Sequence, residues 1–109
     1  MAYDEKLAQR IRLILNEVPG CVEKKMFGGV GYMVNGNMAC GVNGQKLIVR
    51  LSEVDSENAL TQPHVHVFDM TGRPMKGWIT VDSPGVAKDA DLEAWVDRGL
   101  KYAQGLPAK

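Results

Sequence analysis

Two cysteines and two histidines are the residues of this sequence whose chemistry is easiest to recognise. Cys21 and Cys40 lie far apart and form no CxxC pair, so the sequence indicates neither a disulfide framework nor a thiolate metal site. A reactive thiol needs a base, a cation or a helix N-terminus beside it, and nothing next to Cys21 in the sequence resembles a base. The strand register described below places Cys40 on an apolar face, which predicts a buried structural thiol.

His64 and His66 belong to a run of alternating residues that predicts a β-strand over 64–68. Two residues apart in a strand, they would share a face and could offer two imidazoles to a metal ion. No third ligand is evident in the sequence, and it contains no GxSxG or HExxH motif, so we predict no metal, no cofactor and no enzymatic activity. An enzymatic function would require the fold to bring one of these histidines next to Cys21 or a carboxylate.

Two further segments contain residue types that bind phosphates or bases in other proteins. The glycines of 28–31 could form a phosphate-binding loop, but such loops lead into a helix, whereas this segment leads into a predicted strand. We therefore predict a β-bulge or a close approach of another backbone there. The segment with Arg73 and Lys76 puts two cations near Trp78. It could bind a phosphate or a nucleic-acid base, or it could be an ordinary turn before a core residue.

The composition is that of an ordinary globular protein. The chain has 109 residues, of which 45% are hydrophobic and 24% charged, and this predicts a single domain over 1–109. The 13 basic and 13 acidic residues balance, so the chain lacks the overall charge of a dedicated nucleic-acid binder, although 1–50 are net +3 and 51–109 net −3. The sequence contains no signal core and no apolar run long enough for a membrane span, which predicts a cytoplasmic protein that does not contact membranes.

Hydrophobic periodicity predicts where the helices lie. Apolar residues at spacings of three and four predict an amphipathic helix over 4–18 that begins at the capping residue Asp4. Similar patterns predict helices over 52–62 and 88–104.

Two Asn-Gly pairs, Asn35-Gly36 and Asn43-Gly44, lie within the β-type segment 29–51 and predict three strands joined by two-residue turns. The resulting register assigns Cys40 and mostly apolar neighbours to the face that packs against the helices. The opposite face is mixed and is predicted to meet solvent or a partner. Its predicted members are Val30, Tyr32, Val34, Asn37, Ala39, Gly41, Lys46, Ile48 and Arg50.

The segments 64–68 and 78–81 add two strands, joined through the turn-forming residues 69–77. Together these elements predict an α+β fold with two layers: an antiparallel sheet of about five strands, and flanking helices at both termini.

Several segments together resemble the N-terminal domain of the TfoX (Sxy) family of competence regulators. The resemblance covers about residues 4–107 and depends on the order and spacing of its motifs. It implies the two-layer α/β fold of secretion chaperones, in agreement with the prediction from periodicity. The motifs are KKMFGG at 24–29, the Asn35-Gly36 turn, LIVR at 47–50, GRPMKGW at 72–78 and WVDR at 95–98.

The resemblance also implies a function. Longer members of the family promote transcription of DNA-uptake genes together with the cyclic-AMP receptor protein, and no catalytic activity is established for the domain. This chain ends at Lys109, before the second, helical domain of those regulators, so we do not carry over the competence role as a whole. The family's motif positions, where we expect an architectural role, are occupied by Met26, Phe27, Gly28, Gly29 and Arg50.

The leading hypothesis from the sequence is a small non-enzymatic regulatory or adaptor domain. It would bind another protein, or a second copy of itself, through the mixed face around Tyr32, Ile48 and Arg50. The alternative is a nucleic-acid-binding domain that uses the basic first half together with Arg73 and Lys76, with an affinity that falls steeply with salt.

Overall fold

The computed structural model describes residues 3–26, 28–68 and 76–107. In this part of the chain, six strands form one antiparallel sheet in the order β1-β2-β3-β4-β6-β5, accompanied by three α-helices and a short 3-10 helix at Ser83–Val86. The α+β prediction with helices near both termini is confirmed. The elements are α1 (Glu5–Leu15), β1 (Cys21–Met26), β2 (Gly29–Val34), β3 (Asn37–Asn43), β4 (Lys46–Arg50), α2 (Glu53–Ala59), β5 (Val65–Val67), β6 (Trp78–Val81) and α3 (Asp89–Gln104).

The strand β1 was not predicted from the sequence. It lies at an edge of the sheet and pairs only with β2 among the described strands. Its exposed residues include Lys24 and Lys25, side chains that edge strands use to discourage pairing with other molecules. Those charges interrupt the apolar pattern by which the other strands were recognised.

The predicted helix cap at Asp4 is confirmed. The Asp4 carboxylate accepts hydrogen bonds from the backbone N–H groups of Lys6 and Leu7, at 2.9 and 3.2 Å. The Ser52 hydroxyl likewise accepts one from the N–H of Asp55, at 3.1 Å. These bonds satisfy N–H groups that have no partner within the first helical turn.

The two predicted turns have different outcomes. Asn35 and Gly36 both have positive φ, at 53° and 86°, as a two-residue hairpin turn between paired Val34 and Asn37 requires. The second turn is shifted by one residue: Asn43 pairs with Lys46, so the turn consists of Gly44 and Gln45 rather than Asn43 and Gly44.

A β-bulge between these turns changes the register of β3. Tyr32 lies opposite Cys40 and Met33 opposite Met38, so Ala39 is the extra residue without a partner on β2. The bulge brings Tyr32 onto the same face as Cys40. The prediction that Tyr32 faces outward is therefore wrong: its side chain is 2% exposed, and its hydroxyl donates a hydrogen bond to the carbonyl of Ala8 at 3.0 Å.

The main core lies between this face of the sheet and the helices. Leu7 and Ile11 of α1 and Trp95 and Val96 of α3 are buried against it. Alternate residues of the strands supply the other side of the core, as expected for a sheet covered on one face. These strand residues are Val30, Tyr32, Cys40, Val42, Leu47, Val49, Val65, Ile79 and Val81.

The bulge also determines how closely α3 can approach the sheet. Gly99, in the middle of α3, is buried, and a Cβ atom there would overlap the carbonyl oxygen of Ala39. A second small cluster at this place contains Val34, Ala39 and Ala103. Small residues on both elements therefore allow the helix and the sheet backbone to meet.

Candidate functional site: the rim of the outer sheet face

The sheet face opposite the helices, here called the outer face, has a closed centre and an accessible rim. Ile48 is only 4% exposed and Thr80 only 6%, although both belong to this face. The prediction that Ile48 is available to a partner is therefore wrong. The accessible side chains are those around the centre, and they form two groups at opposite ends of β4.

The first group, here called the aromatic ridge, consists of Arg50, Phe68, Trp78 and Tyr102, all half-buried. Arg50 and Trp78 are cross-strand partners, and the Phe68 N–H donates a hydrogen bond to the Trp78 carbonyl at 3.1 Å. The Arg50 guanidinium carbon lies 5.2 Å from the centre of the Trp78 ring and 5.6 Å from that of Tyr102. The rings of Phe68 and Trp78 are 6.3 Å apart and tilted by 48°. Strands β4 and β6 and helix α3 thus hold a cation among aromatic rings.

The second group, here called the polar cleft, consists of Asn43, Lys46, His66, Thr80 and Asp82. All except Asp82 line a cleft of about 250 Å³, together with Val67 and Phe68. His66 Nε2 lies 2.8 Å from Asp82 Oδ2, and Lys46 Nζ lies 3.9 Å from Asp82 Oδ1. Neighbouring strands therefore bring together an imidazole, a carboxylate, an ammonium group and two uncharged polar groups.

The two histidines do not act together. β5 begins only at Val65, and His64 has a positive φ of 68°, which turns it out of the strand. The prediction that the two imidazoles share a face is wrong. Only His66 meets a carboxylate, which fulfils the geometric condition for an enzymatic function, but neither cysteine is among the residues that line the cleft.

The cysteines do not supply a nucleophile. Cys40 has no exposed surface, and burial raises the pKa of its thiol far above the ordinary value, as predicted for a structural thiol. Cys21 is half-buried, and burial, followed by the negative charge of Glu23, raises the pKa of that thiol as well. Among the described residues, no group of three histidine, cysteine or acidic side chains is arranged to hold a metal ion.

The remaining predicted site residues have diverse environments. Arg73 and Phe27 lie outside the described residues, and Lys76 is exposed and forms an ion pair with Glu53 at 3.5 Å. Gly28 has a positive φ of 74°. At Gly29 a Cβ atom would overlap the carbonyl oxygen of Val42 on the neighbouring strand, the close backbone approach expected from the sequence.

Met26 ends β1, and its backbone pairs with that of Gly29. This pairing agrees with an architectural role for the motif at 24–29.

The elements differ in charge, and α1 contains three basic residues and one acidic residue. Helix α2 contains three acidic residues and no basic ones, and α3 contains four acidic and two basic residues. Among the described residues, the outer face has one carboxylate, that of Asp82, and three cations, which are Lys24, Lys46 and Arg50. The rim of the outer face is therefore net positive, whereas α2 and α3 are net negative.

The comparison with protein families agrees with this fold. The family model described as TfoX N-terminal domain matches residues 14–103. The chain belongs to the TfoX N-terminal domain family. The TfoX N-terminal domain is not a known enzyme family. No curated protein matches the chain at a significant level. None of the helices in the described ranges is long and apolar enough to cross a membrane.

Proposed function

We propose that this member of the TfoX N-terminal domain family is a non-enzymatic regulatory domain that binds a partner protein through the aromatic ridge. The observation that carries the proposal is the position of Arg50, half-buried with its guanidinium within cation–π distance of both Trp78 and Tyr102. The regulatory part of the proposal, in transcription or competence, comes from the family.

Arginine, tryptophan and tyrosine are the residue types that most often dominate the energetics of protein interfaces. A ring is not a carboxylate partner for a guanidinium, whose N–H groups match the two oxygens of a carboxylate. No carboxylate of the described residues lies within 4.0 Å of Arg50. We therefore propose a partner segment that brings an Asp or Glu to Arg50 and an apolar side chain to Phe68 and Trp78.

The experiment compares two arginines that each lie over a tryptophan. Arg98, on α3, is half-buried with its guanidinium carbon 4.7 Å from the Trp95 ring centre, so Arg98→Ala is a matched control for Arg50→Ala. The wild-type protein is used to capture partners from native lysate, and the affinity of a purified partner is then measured for both variants. We expect Arg50→Ala to weaken binding about thirtyfold, the loss of a typical hot spot, and Arg98→Ala to have little effect.

The partner's own residues complete this test. Replacing acidic residues of the captured partner with their amides should cause a loss similar to that of Arg50→Ala. Equal binding by the two arginine variants, or no effect of the partner's carboxylates, would refute the proposed ridge. Sedimentation of the purified wild type tests whether the partner is a second copy of this chain. Self-association that Arg50→Ala abolishes would identify that copy as the partner.

The nucleic-acid alternative has less support. Lys76, one of its two predicted loop residues, is paired with Glu53, and the outer rim has few cations for a phosphate backbone. Fluorescence anisotropy with a single-stranded oligonucleotide at low salt decides the question. Binding that falls steeply with salt would favour a nucleic acid over a protein as the partner. No binding at tens of micromolar would exclude the nucleic-acid alternative.

A further inference from the structure

The polar cleft lies toward the other end of β4 from Arg50 and shares Phe68 with the aromatic ridge, but its polar side chains have no role in the function proposed above. Its volume of about 250 Å³ is below the usual range of roughly 300–1,000 Å³ for pockets that enclose a drug-sized ligand. A single small group suits it better than a whole cofactor. The question is therefore which chemical group its side chains would hold.

Hydrogen-bonding groups of the cleft remain available to a ligand. Asp82 is bonded through Oδ2 to His66, whereas Lys46 Nζ is 3.9 Å from the other carboxylate oxygen, too far for a hydrogen bond. The three N–H donors of Lys46 are therefore not used by Asp82. Asn43 can donate from its amide and Thr80 from its hydroxyl, and both line the same cleft.

The walls of the cleft are held by backbone pairing. Asn43 pairs with Lys46 across the turn, and the Gly44 carbonyl in that turn accepts a hydrogen bond from the Asp4 N–H at 2.7 Å. On the other side, His66 pairs with Thr80. The donors thus come from β3, β4 and β6, three neighbouring strands, and the paired backbone fixes the positions from which their side chains start.

We propose that the polar cleft binds a phosphate group, either inorganic phosphate or the phosphate of a small metabolite. Lys46 is its main ligand, and Asn43 and Thr80 donate hydrogen bonds. A phosphate has several strong acceptor oxygens in a tetrahedral arrangement, which suits donors that arrive from three strands.

The test is a titration of the ¹⁵N-labelled protein with inorganic phosphate, followed by NMR at constant ionic strength. We expect saturable shifts of the Asn43 side-chain amide and of the backbone around Thr80 and His66. Lys46→Gln should weaken the affinity about tenfold or more, since it removes a charged donor. Lys6→Gln makes the same change at an exposed position of α1 and should leave the phosphate affinity unchanged.

Asp82→Asn separates this proposal from its rivals. An anion is repelled by the carboxylate, so the variant should bind phosphate more tightly. If the cleft bound a cation instead, Asp82→Asn would remove the carboxylate that holds the cation. Tighter binding by Asp82→Asn supports the phosphate site. Loss of binding in that variant, or unchanged binding in Lys46→Gln, overturns it.

Two further measurements complete the test. Asn43→Ala leaves Asp82 in place and should also weaken phosphate binding, which keeps the test valid if Asp82→Asn fails to fold. Titrations with adenosine monophosphate and with adenosine show whether the bound phosphate is inorganic or part of a small metabolite. Tighter binding of the monophosphate than of inorganic phosphate identifies a phosphorylated metabolite, whereas shifts with adenosine alone, or no saturable shifts with any probe, refute the site.

Discussion

Replacement of Gly99 by alanine should destabilise the protein, although helix propensity alone predicts the opposite. In the interior of a helix, alanine is more favourable than glycine by about 1 kcal/mol. Here the added methyl group would overlap the Ala39 carbonyl oxygen and also meet the Val49 side chain at 3.2 Å. A backbone carbonyl cannot swing aside as the end of a flexible side chain can, so α3 must move. Overpacking of this kind costs about 1–3 kcal/mol or more, and we expect a net loss of roughly 2 kcal/mol.

Gly105 provides the matched control at the end of the same helix. It has a negative φ of −80°, and a Cβ atom there would have only ordinary contacts at 3.5 Å or more. Gly105→Ala should therefore leave the stability unchanged or raise it by up to about 1 kcal/mol. Urea unfolding of both variants, with melting temperatures, tests the pair; a 2 kcal/mol loss corresponds to roughly 8–15 °C. Stability of Gly99→Ala equal to or above that of the wild type would refute the close contact between α3 and the bulge.

Three further predictions concern single side chains. Tyr32→Phe should lower the free energy of unfolding by about 1 kcal/mol, because the buried hydroxyl loses its hydrogen bond to α1; an unchanged urea midpoint would contradict this. In the native protein a thiol reagent should modify Cys21 slowly, and faster as the pH rises, while Cys40 reacts only after unfolding. The hydrogen bond from Arg12 lowers the pKa of Glu23 in the folded protein. The pair therefore stabilises the fold above about pH 4.3, the pKa of a glutamate in an unfolded chain. This stabilisation is lost as the pH falls through the lower pKa that Glu23 has in the folded protein. The difference in melting temperature between wild type and Glu23→Gln should accordingly be largest near neutral pH and shrink in acid.

The sequence identified most of the elements because they depend on local rules. The Asn35-Gly36 turn was recognisable since both residues must adopt positive φ, and asparagine and glycine do so most readily. The cap at Asp4 was recognisable for a similarly local reason. The bulge at Ala39 has no such signature, since alanine occurs as readily in a regular strand. The position of one inserted residue therefore put Tyr32 on the wrong face.

The candidate site was predicted only in part, because long-range contacts assemble it. Arg50 and Trp78 were each singled out from the sequence, but their pairing needs the β4–β6 ladder, and Tyr102 joins them from a distant helix. His66 was a candidate ligand, whereas its partner Asp82 follows another strand. Which side chains meet across strands depends on the order β4-β6-β5, and no local pattern specifies that order.

The distribution of charge shows why the layers matter more than the totals. The chain as a whole has no net charge, although 1–50 are net +3 and 51–109 net −3. Folding places acidic α2 and α3 in one layer and Lys24, Lys46 and Arg50 on the other side of the sheet. An anionic partner is therefore favoured at the outer rim and repelled by the surfaces of α2 and α3. This orientation follows from the same sheet pairing that places Arg50 beside Trp78, so the cations and the Trp78 ring favour approach from the same side.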